Sequence, residues 1–120
     1  MDKIIKVINK MIDKKDLIKD AREGSGFSDN EIFFKYKEYI WGITSLTTSN
    51  YNLYYYPDQT DVKELADAMR YDNTDIKFVT HSTSSYDSPE AIQSFKELHS
   101  TVKSKLYNMD ETLDDILNDD

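Results

Sequence analysis

The chain has 120 residues, a length typical of one domain, and a formal net charge of −8. The excess of acids argues against a protein that binds duplex nucleic acid, because phosphate contacts need a positive footprint; it favours a partner protein with a basic surface. The absence of cysteine excludes disulfides and cysteine-based metal sites or nucleophiles, and fits a reducing compartment.

The N-terminus is interrupted by charges every few residues and has no apolar run as long as a signal peptide or membrane span requires. We therefore expect a cytoplasmic protein that has no membrane partner. The charge is also uneven along the chain: residues 1–22 carry a net charge of +3, and residues 41–120 carry −9.

Residues 3–22 are predicted to be helical. Apolar residues recur at three- and four-residue steps from Ile4 to Ile12, and lysines occupy the opposite face. Asp16 can cap a second short turn at residues 17–18. Gly24 suits the left-handed conformation that ends a helix.

Residues 31–57 are rich in aromatic and β-branched residues and are predicted to form three antiparallel strands. The turns are expected at residues 37–38 and 47–50, and Pro57 stops the third strand. Alternation assigns one set of side chains to the core: Ile32, Phe34, Tyr36, Tyr39, Trp41, Ile43, Leu53 and Tyr55.

Four large side chains are left on the other face of these strands: Phe33, Ile40, Tyr54 and Tyr56. Either the first helix covers them, which makes a three-layer domain, or they form an exposed patch for a partner. Tyrosine is favoured at contact surfaces because its apolar ring carries a hydrogen-bonding tip.

The second half of the chain is predicted to add a short helix, a fourth strand over residues 76–80 and a helical C-terminus. The short helix has a buried stripe from Val62 to Met69 and a cap at Asp58 or Thr60. Ser88 and Pro89 are typical of the first positions of a helix.

A heptad pattern of apolar residues then runs from Ile92 to Ile116. One helix over residues 89–118 would be ~45 Å long, so we expect a break near Asn108 and a second, short, acidic helix. The predicted fold is one α+β domain over residues 1–120, with the order α-β-β-β-α-β-α-α and an antiparallel sheet of three to four strands packed against helices. Whether the acidic segment 110–120 is mobile is left open.

No catalytic residue, metal site or cofactor is predicted. His81 lies beside Ser82 and Ser84, which leaves a small enzyme or nucleotide-binding module as one hypothesis, but no nucleophile-elbow motif is present. His99 falls on the apolar stripe and is expected to pack there. The acidic turn at residues 72–75 lacks the glycine and distal glutamate of a calcium loop.

The last eleven residues carry six acids and no base: Asp110, Glu111, Asp114, Asp115, Asp119 and Asp120. We predict that they form a docking surface for a basic partner. Leu113, Ile116 and Leu117 give the same segment an apolar edge, which is expected to dock on the domain beside the lysine-rich first helix.

In size, acidity and Lys/Asn/Asp-rich composition, the chain resembles the small acidic α+β proteins of phages and mobile elements that act as inhibitors or immunity proteins. This likeness carries no motif and assigns no residues. The predicted function is therefore an interaction protein, of the inhibitor type, that occludes a basic site on its partner. One alternative is a homodimeric regulatory subunit built on the heptad stripe; the other is the enzyme hypothesis at His81.

Overall fold

A computed structural model describes residues 3–26, 30–70, 75–86 and 88–118. Within these residues the chain forms an α+β fold, as predicted, with the elements α1 (Lys3–Asp13), β1 (Ile18–Glu23), β2 (Glu31–Tyr36), β3 (Tyr39–Thr47), β4 (Asn50–Tyr55), α2 (Val62–Met69), β5 (Val79–Ser82), α3 (Pro89–Leu106) and α4 (Met109–Leu117). Short 3-10 helices, Lys15–Leu17 and Thr83–Ser85, precede β1 and follow β5. The sheet is fully antiparallel and has the order β1-β2-β3-β4-β5.

The strand β1 occupies a segment that the sequence pattern assigned to a helix, so the sheet has five strands rather than three or four. The helical period of the first segment ends in α1, and β1 pairs with β2 from Ile18 opposite Tyr36 to Glu23 opposite Ile32. An edge strand tolerates the many charges of this segment because most of its side chains remain exposed. Asp16 is not a helix cap, and the left-handed glycine is Gly26 rather than Gly24.

The meander β2–β4 and its two turns follow the prediction. Two boundaries after it differ. Asp61, rather than Asp58 or Thr60, caps α2, and its Oδ1 accepts a hydrogen bond from the Glu64 amide at 3.1 Å. The fourth predicted strand, expected from residue 76, is β5 and begins three residues later. Its first residue, Val79, pairs with Tyr55 at the end of β4.

The sheet is covered on both faces, so the domain has three layers. Helices α1 and α3 pack on one face, where Phe34, Ile43 and Leu53 are fully buried. The helix on the other face is α2, whereas the sequence left open either cover by α1 or an exposed patch: Val62 and Leu65 pack there with Phe33. Burying large side chains on both faces is what stabilises a sheet of this kind.

The C-terminal region forms two helices, as predicted. The Ser88 Oγ accepts a hydrogen bond from the Ala91 amide at 3.2 Å, and Pro89 is the first residue of α3. The break lies at Asn108, whose backbone is left-handed with a φ of 52°. Asparagine tolerates this conformation better than most residues. Among the described residues, no helix is long and apolar enough to cross a membrane.

Candidate functional site

The apolar edge of α4 is exposed rather than docked on the domain. Leu113, Ile116 and Leu117 are 49%, 63% and 80% exposed. The left-handed turn at Asn108 redirects the chain where α3 ends, so that α4 packs mainly against α3. The expected docking of this edge beside the first helix is therefore wrong.

Three of the acids of α4 lie on the side of the helix away from its apolar edge. With 3.6 residues per turn, residues 113, 116 and 117 share one face, whereas Glu111, Asp114 and Asp115 lie around the other. All three of these acids are exposed. Asp110 is in the first turn of the helix, and Asp119 and Asp120 lie outside the described residues. The helix thus presents an apolar edge and an acidic face to solvent together.

The aromatic patch expected on the second sheet face is mostly buried. Phe33, Ile40 and Tyr56 pack under α2 and are inaccessible, so they do not form an exposed surface. Tyr54 is half-buried, and its ring lies edge-on to the exposed Phe78 with 5.7 Å between the ring centroids. What remains accessible on this face is therefore the Tyr54–Phe78 pair, next to β5.

A buried carboxyl lies on the same face and was not singled out from the sequence. Glu31 is 5% exposed, and the Tyr56 hydroxyl donates a hydrogen bond to its Oε2. Burial raises the pKa of Glu31 to about 7, although the Tyr56 hydrogen bond acts in the opposite direction.

The strand opposite Glu31 is adapted to this carboxyl. A Cβ at Gly42 would collide with the Glu31 carboxylate, so glycine leaves the space that the acid occupies. Thr44 pairs with Glu31 across the strands, and its buried Oγ1 has no hydrogen-bond partner among the described residues. The sequence carried one signal for Glu31. It lies two residues before Phe33, so alternation along β2 places it on the same, otherwise apolar, face of the strand. Glu31 is buried, and it also lines an open groove together with His99 and Lys103.

The residues of the enzyme hypothesis do not converge. His81 and Ser82 are consecutive in β5, so their side chains point to opposite faces of the sheet. The Ser82 Oγ donates a hydrogen bond to the Asn52 Oδ1 at 2.5 Å, and Ser84 is exposed in the following 3-10 helix. Desolvation lowers the pKa of His81. This arrangement has no nucleophile–base contact between His81 and Ser82.

The second histidine, His99, packs as expected. It is half-buried and its ring lies 5.7 Å from that of Tyr51; desolvation, followed by the charge of Lys103, lowers its pKa. An open groove of about 330 Å³ passes His99 and Lys103 between α3 and the ends of the strands, and neither His81 nor Ser82 lines it.

The heptad stripe is divided between the core and the surface. Phe95 and Val102 in α3 are fully buried in the domain's own core, whereas Leu113 and Ile116 in α4 are exposed. The stripe therefore does not form one continuous surface on which a dimer could be built.

The predicted turn at residues 72–75 lies largely outside the described residues.

Comparisons of the chain with protein-family models, with curated proteins and with solved structures found no match.

Proposed function

We propose that the protein is an inhibitor-type interaction module in which α4 binds a partner protein as an amphipathic helix. The partner surface that fits α4 is an apolar groove with a lysine- or arginine-rich rim, and occupation of that groove occludes a basic site. The observation that supports this proposal is the exposure of Leu113, Ile116 and Leu117 on an acidic helix.

The apolar edge supplies the affinity in this proposal. Burying an exposed aliphatic side chain of this size is favourable by ~1.5–3 kcal/mol, and the domain itself leaves these three side chains in water. A free helix as short as α4 would be marginal in water. Its attachment to α3 through Asn108 holds one end in place, which lowers the ordering cost of binding.

The acidic face supplies selectivity and a fast encounter. Glu111, Asp114 and Asp115 are exposed on α4, which contains no basic residue. Residues 41–120 carry a net charge of −9, so the field of the whole C-terminal part attracts a basic surface. Helix-in-groove recognition typically uses anchors at positions i, i+3 and i+4, which here are Leu113, Ile116 and Leu117.

The test begins with capture of the partner from the native host and continues with the affinity of the purified pair. Two variants separate the two faces of α4: Leu113, Ile116 and Leu117 all changed to Ser, and Glu111→Gln combined with Asp114→Asn and Asp115→Asn. Each has a control among exposed residues elsewhere. The control for the acids combines Asp13→Asn, Glu38→Gln and Asp67→Asn; the control for the apolar edge is Leu46→Ser.

Both α4 variants should fold and lose affinity by at least tenfold, because each removes one of the two complementary surfaces. Both controls should bind like the wild type. If an α4 variant and its control lost affinity equally, the loss would be due to net charge or general surface polarity rather than to the α4 surface. A captured protein that binds both α4 variants normally would show that α4 is not the contact helix.

A further inference from the structure

The two edges of the sheet are built differently. The β1 edge carries four charged residues, and its register with β2 is interrupted between Lys19 and Arg22, where Asp20 has a φ of 56°. Charges and bulges of this kind prevent an edge strand from pairing with another chain. The β5 edge has neither device: it reads Val-Thr-His-Ser and pairs regularly with β4.

The strands on this side of the sheet are also uncharged. None of the strands β3, β4 and β5 contains Asp, Glu, Lys or Arg. Residues 75–86, which include β5, contain one acid and one base, Asp75 and Lys77. Among the described residues, the β5 side of a chain with a net charge of −8 is therefore nearly neutral, which lets a second copy approach it with little repulsion from these strands.

Exposed apolar side chains mark the start of the same edge on both faces of the sheet. Phe78 and Val79 are 51% and 49% exposed, although they are large and adjacent. Phe78 extends the Tyr54 ring pair on the α2 face, and Val79 lies opposite Tyr55, whose side chain is on the α1–α3 face. Exposed apolar residues around an unprotected edge are typical of a surface that becomes covered.

We propose that β5 pairs antiparallel with β5 of a second copy of the chain, around a two-fold axis perpendicular to the sheet. When two identical strands form an antiparallel ladder, even-numbered residues pair with even-numbered ones and odd with odd. The reason is that two residues opposite each other must both direct their backbone N–H and C=O groups into the ladder. The register centred on Thr80 uses the whole strand and keeps the following 3-10 helix outside the ladder. It places Val79 opposite His81 and Phe78 opposite Ser82, and no charged residues face each other.

The interface is short, so the dimer should be weak and depend on concentration. β5 has four residues, and an edge of that length with two apolar side chains per copy lies at the low end of specific interfaces. Main-chain hydrogen bonds supply most of its affinity, as in other cases of strand addition.

The test is the solution mass of the purified chain over a wide range of protein concentration. The weight-average mass should rise from 14.1 kDa towards twice that value. Thr80→Lys places like charges opposite each other at the two-fold axis and should keep the chain monomeric; Thr80 is exposed, so the fold should persist. Thr48→Lys makes the same change in an exposed turn and should dimerise like the wild type.

Hydrogen exchange on the wild type supplies a test that needs no variant: the amides of residues 79–82 that point away from β4 should exchange more slowly as the dimer forms. A monomeric mass at every concentration would overturn the proposal. So would a Thr80→Lys variant that dimerises as readily as Thr48→Lys, or a doubled mass without protection of β5. If only the α4 variant with three serines becomes monomeric, self-association belongs to α4 and the β5 assignment is wrong.

Discussion

At the scale of single residues, the Glu31 carboxyl makes stability depend on pH. Its pKa is raised from 4.5 to about 7 by burial. Between these values the folded state binds a proton that the unfolded state has released, so stability falls as pH rises from about 4.5 to 7 and then levels. A shift of this size corresponds to roughly 3 kcal/mol at most.

Glu31→Gln should remove this dependence. The amide oxygen can still accept the Tyr56 hydrogen bond, but no charge is buried above pH 7. We expect the variant to match the wild type near pH 4.5 and to be more stable at pH 8, as measured by urea unfolding across the range.

The difference between variant and wild type is the quantity to compare. His81 and His99 have lowered pKa values, so they make stability rise with pH and partly conceal the effect of Glu31 in the wild-type curve alone. If the two proteins differ by the same amount at every pH, Glu31 is not the titrating group.

At the scale of elements, exposure predicts that α4 contributes little to stability. Changing Leu113, Ile116 and Leu117 to Ser should cost no more than about 0.5 kcal/mol per residue, the usual range for surface substitutions. Leu98→Ala, at a fully buried position in α3, should cost ~2–5 kcal/mol because it leaves a cavity. Urea unfolding of both variants measures the difference. A loss in the α4 variant as large as that in Leu98→Ala would mean that the apolar edge of α4 is buried against the domain in solution.

The elements also show where local patterns suffice. The start of α3 was predictable because Ser88 and Pro89 act within one turn of the helix. The strand β1 was not, because its conformation is set by backbone pairing with β2, which no residue of β1 encodes by itself.

At the scale of the whole molecule, the two proposed contacts should respond to salt in opposite directions. Partner binding through the acidic face of α4 should weaken as salt rises, since exposed charges are screened beyond ~8 Å at physiological ionic strength. Dimerisation through the uncharged β5 edge should strengthen, because salt screens the repulsion between two chains of net charge −8.

Affinity and solution mass, each measured from low to high salt, test this contrast. Partner affinity that does not change with salt would remove the electrostatic part of the α4 proposal and leave the apolar edge alone. A dimer that dissociates as salt rises would indicate a charged interface, which the β5 edge does not provide.

The sequence by itself determined the α+β class, the β2–β4 meander, the break between α3 and α4 and the amphipathic, acidic character of α4. These features follow from periodicity, turn residues and caps, which act over a few neighbouring residues. It also indicated the alternation of β2, so that Phe33 and Phe34 were assigned to opposite faces correctly.

Only the tertiary structure decided which helix covers which face, and with it which predicted site residues are accessible. Phe33, Ile40 and Tyr56 are buried because α2 packs on them, whereas Leu113 and Ile116 are exposed because no described residue covers the apolar edge of α4. A hydrophobic side chain has the same local pattern in both situations. Burial depends on contacts between segments far apart in the chain, and these become visible only once the layers are assembled.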